Sequence, residues 1–283
     1  MQSDHENRLP QEIVALKRVG KNEWTFVFPR LTSNIMEQFH EAIELWETEH
    51  LSQAERRYRQ LLLDYPEFID VYHHLAMLLD ETDRYPEAFQ LWQRAVDIGL
   101  NCFPRSFSIG RDLLPWAVLD NRPFLRAYHG LGLVIFEQGG VENALSIFTD
   151  ILAMNPNDNQ GVRGIAINCS FCLRRPWDVL DISERYPQDM MTDVVYGRVL
   201  ALYQQGRNDD AEMALREAMD FLPLVAKELV KDRHRRPRKY CPGFVAIGSA
   251  DEAYDYWIEH GKHWRKTSGA IDFVKGYMQR NTR

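Results

Sequence analysis

The chain has 283 residues, 45% of them hydrophobic and 27% charged, a composition that suits a globular protein with material for a sizeable core. Its net charge of −7 weighs against a general nucleic-acid binder, no apolar run approaches the roughly 18–20 residues of a membrane helix, and four cysteines are too few for a disulfide scaffold. Met1 to Pro10 lack the basic-then-apolar layout of a signal peptide, so the expectation is a reduced, cytoplasmic protein.

In chain order, Glu12 to Val19 and Glu23 to Phe28 are rich in Val, Ile, Trp and Phe and are separated by Gly20-Lys21-Asn22, which predicts a β-hairpin. A lone hairpin is marginal in water, so it is expected to pack on the first helices as an N-terminal cap. From Ile35 the apolar residues follow the helical period. Ala54, Tyr58, Leu61 and Pro66 set a frame that returns thirty-four residues later as Ala88, Trp92 and Ala95. It returns again as Ala144, Phe148, Ile151, Pro156 and as Ala211, Leu215, Ala218, Pro223. The small residue lets two helices approach, and the proline ends the second of them. That frame marks the second helix of a tetratricopeptide (TPR) unit.

The spacing predicts a layout: residues 1–33 a hairpin cap, 34–100 repeats one and two, 101–122 an insertion broken by Pro104, Gly110 and Pro115, 123–224 repeats three to five, 225–248 a basic loop, and 249–283 capping helices. Ala88 to Ala144 is 56 residues, one period plus the insertion. Ala144 to Ala211 is 67, nearly two periods, so a degenerate fourth repeat with Pro176 near the start of its second helix must lie between. Asp120 or Asn121 with Pro123 signals the start of repeat three, and Asn157-Asp158-Asn159 caps the next. Ser249 to Glu252 forms a capping box, Gly261 is read as a stop, and Ala270, Phe273, Val274 and Tyr277 form a last stripe. The fold class expected is all-α: a TPR helical solenoid of about five helix pairs, one degenerate, with an N-terminal β-hairpin cap and a C-terminal helical cap.

Residues 121–132 (Asn-Arg-Pro-Phe-Leu-Arg-Ala-Tyr-His-Gly-Leu-Gly), residues 154–163 (Met-Asn-Pro-Asn-Asp-Asn-Gln-Gly-Val-Arg) and the Gly-Ser-x-Asp-Glu-Ala-x-x-Tyr run beginning at Gly248 resemble bacterial TPR proteins related to the suppressor-of-tumorigenicity-7 family. The resemblance spans residues 112–275 and implies an all-helical TPR fold with no assigned reaction.

In a TPR unit the first helices line the concave face. That geometry points Asp70, His73, Met77, Asp80 and Glu81 into the groove from repeat two, and Arg126, His129, Leu133, Phe136 and Glu137 from repeat three. Repeat four offers Gln160, Arg163, Ile167, Ser170 and Phe171, and repeat five offers Asp193, Tyr196, Leu200, Tyr203 and Gln204. Arg126 and Arg163 could fork a carboxylate or acidic peptide, with Phe136, Phe171, Tyr196 and Tyr203 as apolar pockets. The plainer alternative has both arginines pairing with Asp120, Asp158 or Glu137 to brace helices. The lysine–asparagine clamp for heat-shock chaperone tails is absent, because His73, His129, Met77 and Leu133 hold its positions. Of the adjacent pair His73-His74, one ring is expected in the groove and the other against the partner helix.

Cys169-x-x-Cys172, with Cys102 and Cys241 elsewhere, lacks a second pair or a spaced histidine and reads as packing, so neither zinc nor another cofactor is expected. Lys231, Arg233, Arg235, Arg236, Arg238 and Lys239, against one acid, make a segment of local charge +5 and leave −12 on the remainder. Such a run can meet phosphates or an acidic protein in a salt-dependent way. No phosphate loop, nucleophile elbow or zinc-protease motif is present. The function expected is therefore a non-catalytic adaptor binding a protein or peptide partner in its groove, without nucleic acid or membrane. The alternative is a regulator binding nucleic acid or an acidic protein through residues 231–239; a third reading, an enzyme with the insertion Asn101 to Arg122 as lid, has no recognisable site behind it. Exposed Trp and Tyr near the termini could also mark a homo-oligomer face.

Overall fold

The computed structural model describes residues 14–238, 240 and 246–281; the readings placed on Met1 to Pro10, Glu12, Lys239 and Cys241 fall outside the described residues. The chain divides into two compact units, residues 1–160 and 161–283.

In the first unit, strands β1 (Ala15–Arg18) and β2 (Trp24–Val27) pair antiparallel, with Leu16 opposite Phe26. Three helix pairs follow: α1 (Ser33–Glu47) with α2 (Leu51–Asp64), α3 (Ile69–Glu81) with α4 (Tyr85–Asn101), and α5 (Arg122–Glu137) with α6 (Val141–Met154). Ala42, Ala54, Ala76, Ala88 and Ala144 are completely buried where the helices cross. Gly132 serves the same close approach, since a Cβ there would lie 2.6 Å from the Phe148 ring. Tyr58, Trp92 and Phe148 fill the volume these small residues leave, each burial worth about 1.5–3 kcal/mol. The turn inside each pair carries one residue in the left-handed region: Glu49, Asp83 and Gly139 here, Arg174 and Gly206 in the second unit. Three of the five are not glycine and hold that conformation at roughly 1–2 kcal/mol each, so the packing on either side sets the turn.

Among the described residues the hairpin is held by the insertion and α5. Its main chain bonds to the insertion, with Trp24 N–H donating to Leu113 O (2.9 Å) and Leu113 N–H to Asn22 O (2.7 Å). Asn121, fully buried, accepts from Phe26 N–H (3.1 Å) and donates to the carbonyls of Trp24 (3.0 Å) and Pro115 (3.2 Å). It stands at the N-terminus of α5, yet its side chain makes no cap bond and satisfies strand β2 instead. The rings of Phe26, Phe103, Phe107 and Phe124 then pack at an angle into one cluster joining hairpin, insertion and α5. The insertion is thus built into the fold by the hairpin.

In the second unit the degenerate repeat is a short pair, α7 (Val162–Cys172) and α8 (Pro176–Arg185), followed by α9 (Thr192–Gln204) and α10 (Asn208–Phe221). Gly161, at φ 71°, precedes α7 in the capping position. Helix α11 (Pro223–Leu229) occupies the start of the segment expected to be loop. Helix α12 (Ala250–Lys266) opens on the expected box: Ser249 Oγ accepts from Glu252 N–H (3.1 Å), and Glu252 accepts from Gly248 N–H (2.6 Å). Gly261 does not stop it. The helix passes straight through, because a Cβ at Gly261 would lie 2.7 Å from the Trp257 ring and only glycine lets that indole lie flat. Helix α13 (Ala270–Asn281) closes the unit, burying Ala270, Val274 and Tyr277.

Candidate functional site: a concave cavity

Within each unit the first helices of the pairs present the face that a TPR groove uses, and that face differs between the two units. In the first unit a cavity of about 340 Å³ opens among α3, α4 and α5. His73, Met77, Asp80 and Glu81 line it from α3, Trp92 from α4, and Arg126, His129, Leu133 and Glu137 from α5, with Gln160 at its edge. Phe136 is not among the lining residues. Trp92 is a wall the sequence did not offer, since its position in the repeat frame reads as packing alone. The two histidines divide as expected: His74 sits among Phe39, Trp46 and Tyr58, while His73 lines the cavity.

The charge of this cavity is not what the arginine suggests. Arg126 Nη2 lies 2.7 Å from both oxygens of the buried Asp70, so its guanidinium is committed to the protein's own carboxylate, and not to Asp120, Asp158 or Glu137. Burial, and then the neighbouring charges of His74, Arg126 and His129, hold His73 well below the ordinary imidazole range. Trp92 Nε1–H donates to His73 Nδ1 (3.1 Å), which places the proton of the neutral ring on Nε2. Burial also lowers His129, against an opposing pull from Asp158. Asp80 is raised by burial and by the nearby Glu81 and Asp83. Asp80, Glu81 and Glu137 therefore dominate the potential.

In the second unit the same face is filled by the protein's own α12. His260 Nε2 lies 2.6 Å from Asp193 Oδ1 on α9, and His263 Nε2 lies 2.9 Å from Asn168 Oδ1 on α7. Phe171 packs on His263, and Tyr196 packs on Tyr256. Phe171 and the fully buried Tyr196, whose hydroxyl donates to Leu222 O (2.8 Å), are core residues and not pockets. Tyr203 packs on Phe273 of α13 and donates to Ser268 O (3.3 Å). Arg163 is ion-paired to Asp189, and its guanidinium lies over the Tyr186 ring, 5.2 Å from its centre. Both members of the expected arginine fork are thus engaged with carboxylates of the chain.

Burial alone would raise Asp193; the hydrogen bond and charge of His260 more than offset it and hold the carboxyl below its usual range. Asp193, His260 and the exposed Glu259 bring three ligand-type atoms within 4.8 Å of one another, but the Asp193–His260 contact already uses the atoms a metal would need. Cys169 is fully buried, and burial, then Cys172, pushes its thiol up to about 12, against any thiolate role; Cys172 is exposed and Cys102 half-buried.

In the basic segment Lys231, Arg233, Arg235, Arg236 and Arg238 are exposed. Its base is anchored: the buried Glu228 pairs with Lys231 and with His234 (2.9 Å), His234 stacks on Trp257 at 3.5 Å, and Arg265 lies over the same indole. Arg236 covers the Tyr240 ring. A further groove of about 450 Å³ runs over α8, α9 and α10, and the ion pairs Arg198–Glu217 and Arg207–Asp210 tie up charged groups that line it.

Residues 24–267, well over half of the chain, match the family described as transcriptional repressor TCF25. The chain belongs to that family. This assignment differs from the suppressor-of-tumorigenicity-7 likeness drawn from residues 121–132 and 248–256, while the TPR fold expected there stands. A TCF25-family chain with this architecture is similar in structure to a tetratricopeptide repeat protein from Parabacteroides merdae ATCC 43184, at a TM-score of 0.51 and 11% identity over 88% of this chain and 79% of that one. It is also similar to YrrB, a TPR protein with an unusual peptide-binding site, at a TM-score of 0.45 and 16% identity over 65% of this chain and 84% of that one. No curated protein matches the sequence. Among the described residues, no helix is long and apolar enough to cross a membrane.

Proposed function

We propose that this TCF25-family protein is a non-catalytic interaction module whose first unit binds a segment of a partner protein on its concave face. The observation that carries this reading is the contrast just described: the concave face over α7 and α9 is covered by α12, while the cavity over α3 and α5 stands open with Leu133, Met77 and Trp92 on its walls. An adaptor that holds other proteins accords with the family's description as a transcriptional repressor, since repression can be exerted by assembly without any reaction.

A photo-crosslinking amino acid placed at Leu133, and separately at the exposed Trp177 on α8, tests it. One discrete adduct from position 133, absent from position 177 and lost when Met77→Glu fills the cavity with charge, is the expected result. Equal adducts from both positions, or adducts indifferent to Met77→Glu, would overturn the reading. The exposed guanidiniums of Arg233, Arg235 and Arg238 favour a second reading, in which the anchored basic segment meets an acidic protein or nucleic acid. That contact would weaken steeply between low and moderate salt and would ignore Met77→Glu.

A further inference from the structure

We propose that the cavity of the first unit receives a lysine or arginine side chain carried on an extended segment of the partner; this rests on the groove-binding reading above and names the chemistry of its ligand. It reverses the sign that Arg126 suggests. The guanidinium is taken by Asp70, so the acids left facing the cavity are Asp80, Glu81 and Glu137, and none of these has a lysine or arginine partner among the described residues. Glu81 accepts only from Trp46 Nε1–H (2.9 Å), a neutral donor. The Trp92 ring stands beside them, and an indole face attracts a cation. Met77 and Leu133 supply apolar surface for the methylene stem of a long basic side chain.

A second, independent observation marks the place of a main chain. His73 is 8% exposed and lines the cavity, and its Nδ1 is occupied by Trp92, so the Nε2–H is a fixed donor with no partner among the described residues. Arg126 Nε and Gln160 Oε1 also lack partners but are closed off from the cavity, so the His73 Nε2–H is the donor a ligand can reach. A buried polar atom left unpaired costs about 1–3 kcal/mol. A peptide carbonyl can answer that donor, which a free amine or metal cation cannot. An acidic segment or a phosphate backbone would meet three carboxylates instead.

The test uses the full chain with 13C-labelled methionine methyl groups, of which Met77 alone lines the cavity. Three capped hexapeptides are titrated to millimolar concentration: Ala-Gly-Lys-Arg-Gly-Ala, the same with Glu-Glu at its centre, and the same with Gln-Gln. The expected result is a saturable shift of the Met77 methyl with the Lys-Arg peptide alone, weakened about tenfold in the Glu81→Gln/Glu137→Gln variant. Both glutamates are exposed, and glutamine keeps the acceptor for Trp46, so the fold is retained. If the Gln-Gln or Glu-Glu peptide moves Met77 equally well, the cation inference falls and the groove reading survives. If none of the three moves Met77, both fall.

Discussion

The two concave faces of this chain are made from the same repeat, yet one holds a cavity and the other holds a helix. Over α7 and α9 the face is apolar and neutralised: Asp193 is answered by His260, Asn168 by His263, and Tyr196 and Phe171 are covered by Tyr256 and His263. Over α3 and α5 the equivalent surface keeps a buried donor, a buried acceptor and three carboxylates unanswered by a cation of the described chain. The comparison shows one TPR face covered by a helix of the protein's own chain and the other left open as a cavity. The mode in which α12 is held, through histidines and aromatic rings, does not transfer to the first unit, where acids replace those partners.

The sharpest way to break the comparison is to remove what fills the second groove. Trp264 is 1% exposed, and its Nε1–H donates to the buried Tyr256 hydroxyl (2.9 Å). Trp264→Ala is expected to cost about 3–5 kcal/mol through a large cavity and an orphaned hydroxyl. Hydrogen exchange read by mass spectrometry should show protection lost from α7, α9 and α12 while α3 and α5 keep theirs. Loss spread evenly over both units would mean that the helix in the groove is not a separate layer.

That α12 lies in a groove was not legible in the sequence, and the reason is physical. The repeat frame is a local signal: Ala54, Ala88, Ala144 and Ala211 each need only the neighbouring helix, and all four are fully buried as their spacing implied. The Pro176 start and the capping box at Ser249 are local in the same way. Which face α12 covers depends on contacts with residues some sixty to ninety positions earlier, such as Asp193 and Asn168, and no short window records that. The helix did carry a hint, because Tyr256, His260 and Trp264 form an aromatic stripe heavier than an end cap requires. Asn121 misled for a related reason: its type suits a helix cap, but the outer edge of strand β2 competed for its amide and won. Arg126 lines the cavity, and its partner Asp70, in the preceding repeat, changes what it can do there.

A smaller effect sharpens the sign of the open groove. Arg126→Ala leaves Asp70, whose side chain is 10% exposed, without its main cation, and is expected to cost about 1–3 kcal/mol of stability. Calorimetric unfolding measures that loss. If the arginine served as an anion fork, the same variant would abolish binding of an acidic peptide; in an acidic cavity, affinity for the Lys-Arg peptide should hold or rise, because one more carboxylate is uncovered. A fall in that affinity would return the groove to the arginine.

The gentlest perturbation is pH, and it separates the histidines that fill one groove from those that line the other. Burial first, and then the charges of His260, Lys262 and Lys266, bring His263 down to about 3. In the unfolded chain a histidine takes its proton near pH 6.5, so between about pH 6.5 and 3 the unfolded state binds one proton that the folded state refuses. Stability on account of this ring is therefore full above pH 6.5 and falls as the solution is acidified, by about 1.4 kcal/mol per pH unit. Asp193 acts in a lower window: held below its usual range, it loses its contribution only as pH drops beneath about 4 toward its folded value. His263→Gln, whose amide can still donate to Asn168, removes the first slope and leaves the second. The expected outcome is that amide protection of α7 and α12 becomes nearly independent of pH between 6.5 and 4.5 in that variant. Over the same range α3 and α5 keep their own acid sensitivity, which comes from the lowered His73, His74 and His129. If the variant kept the wild-type slope at α12, the neutral His263 ring would not be what holds that helix in its groove.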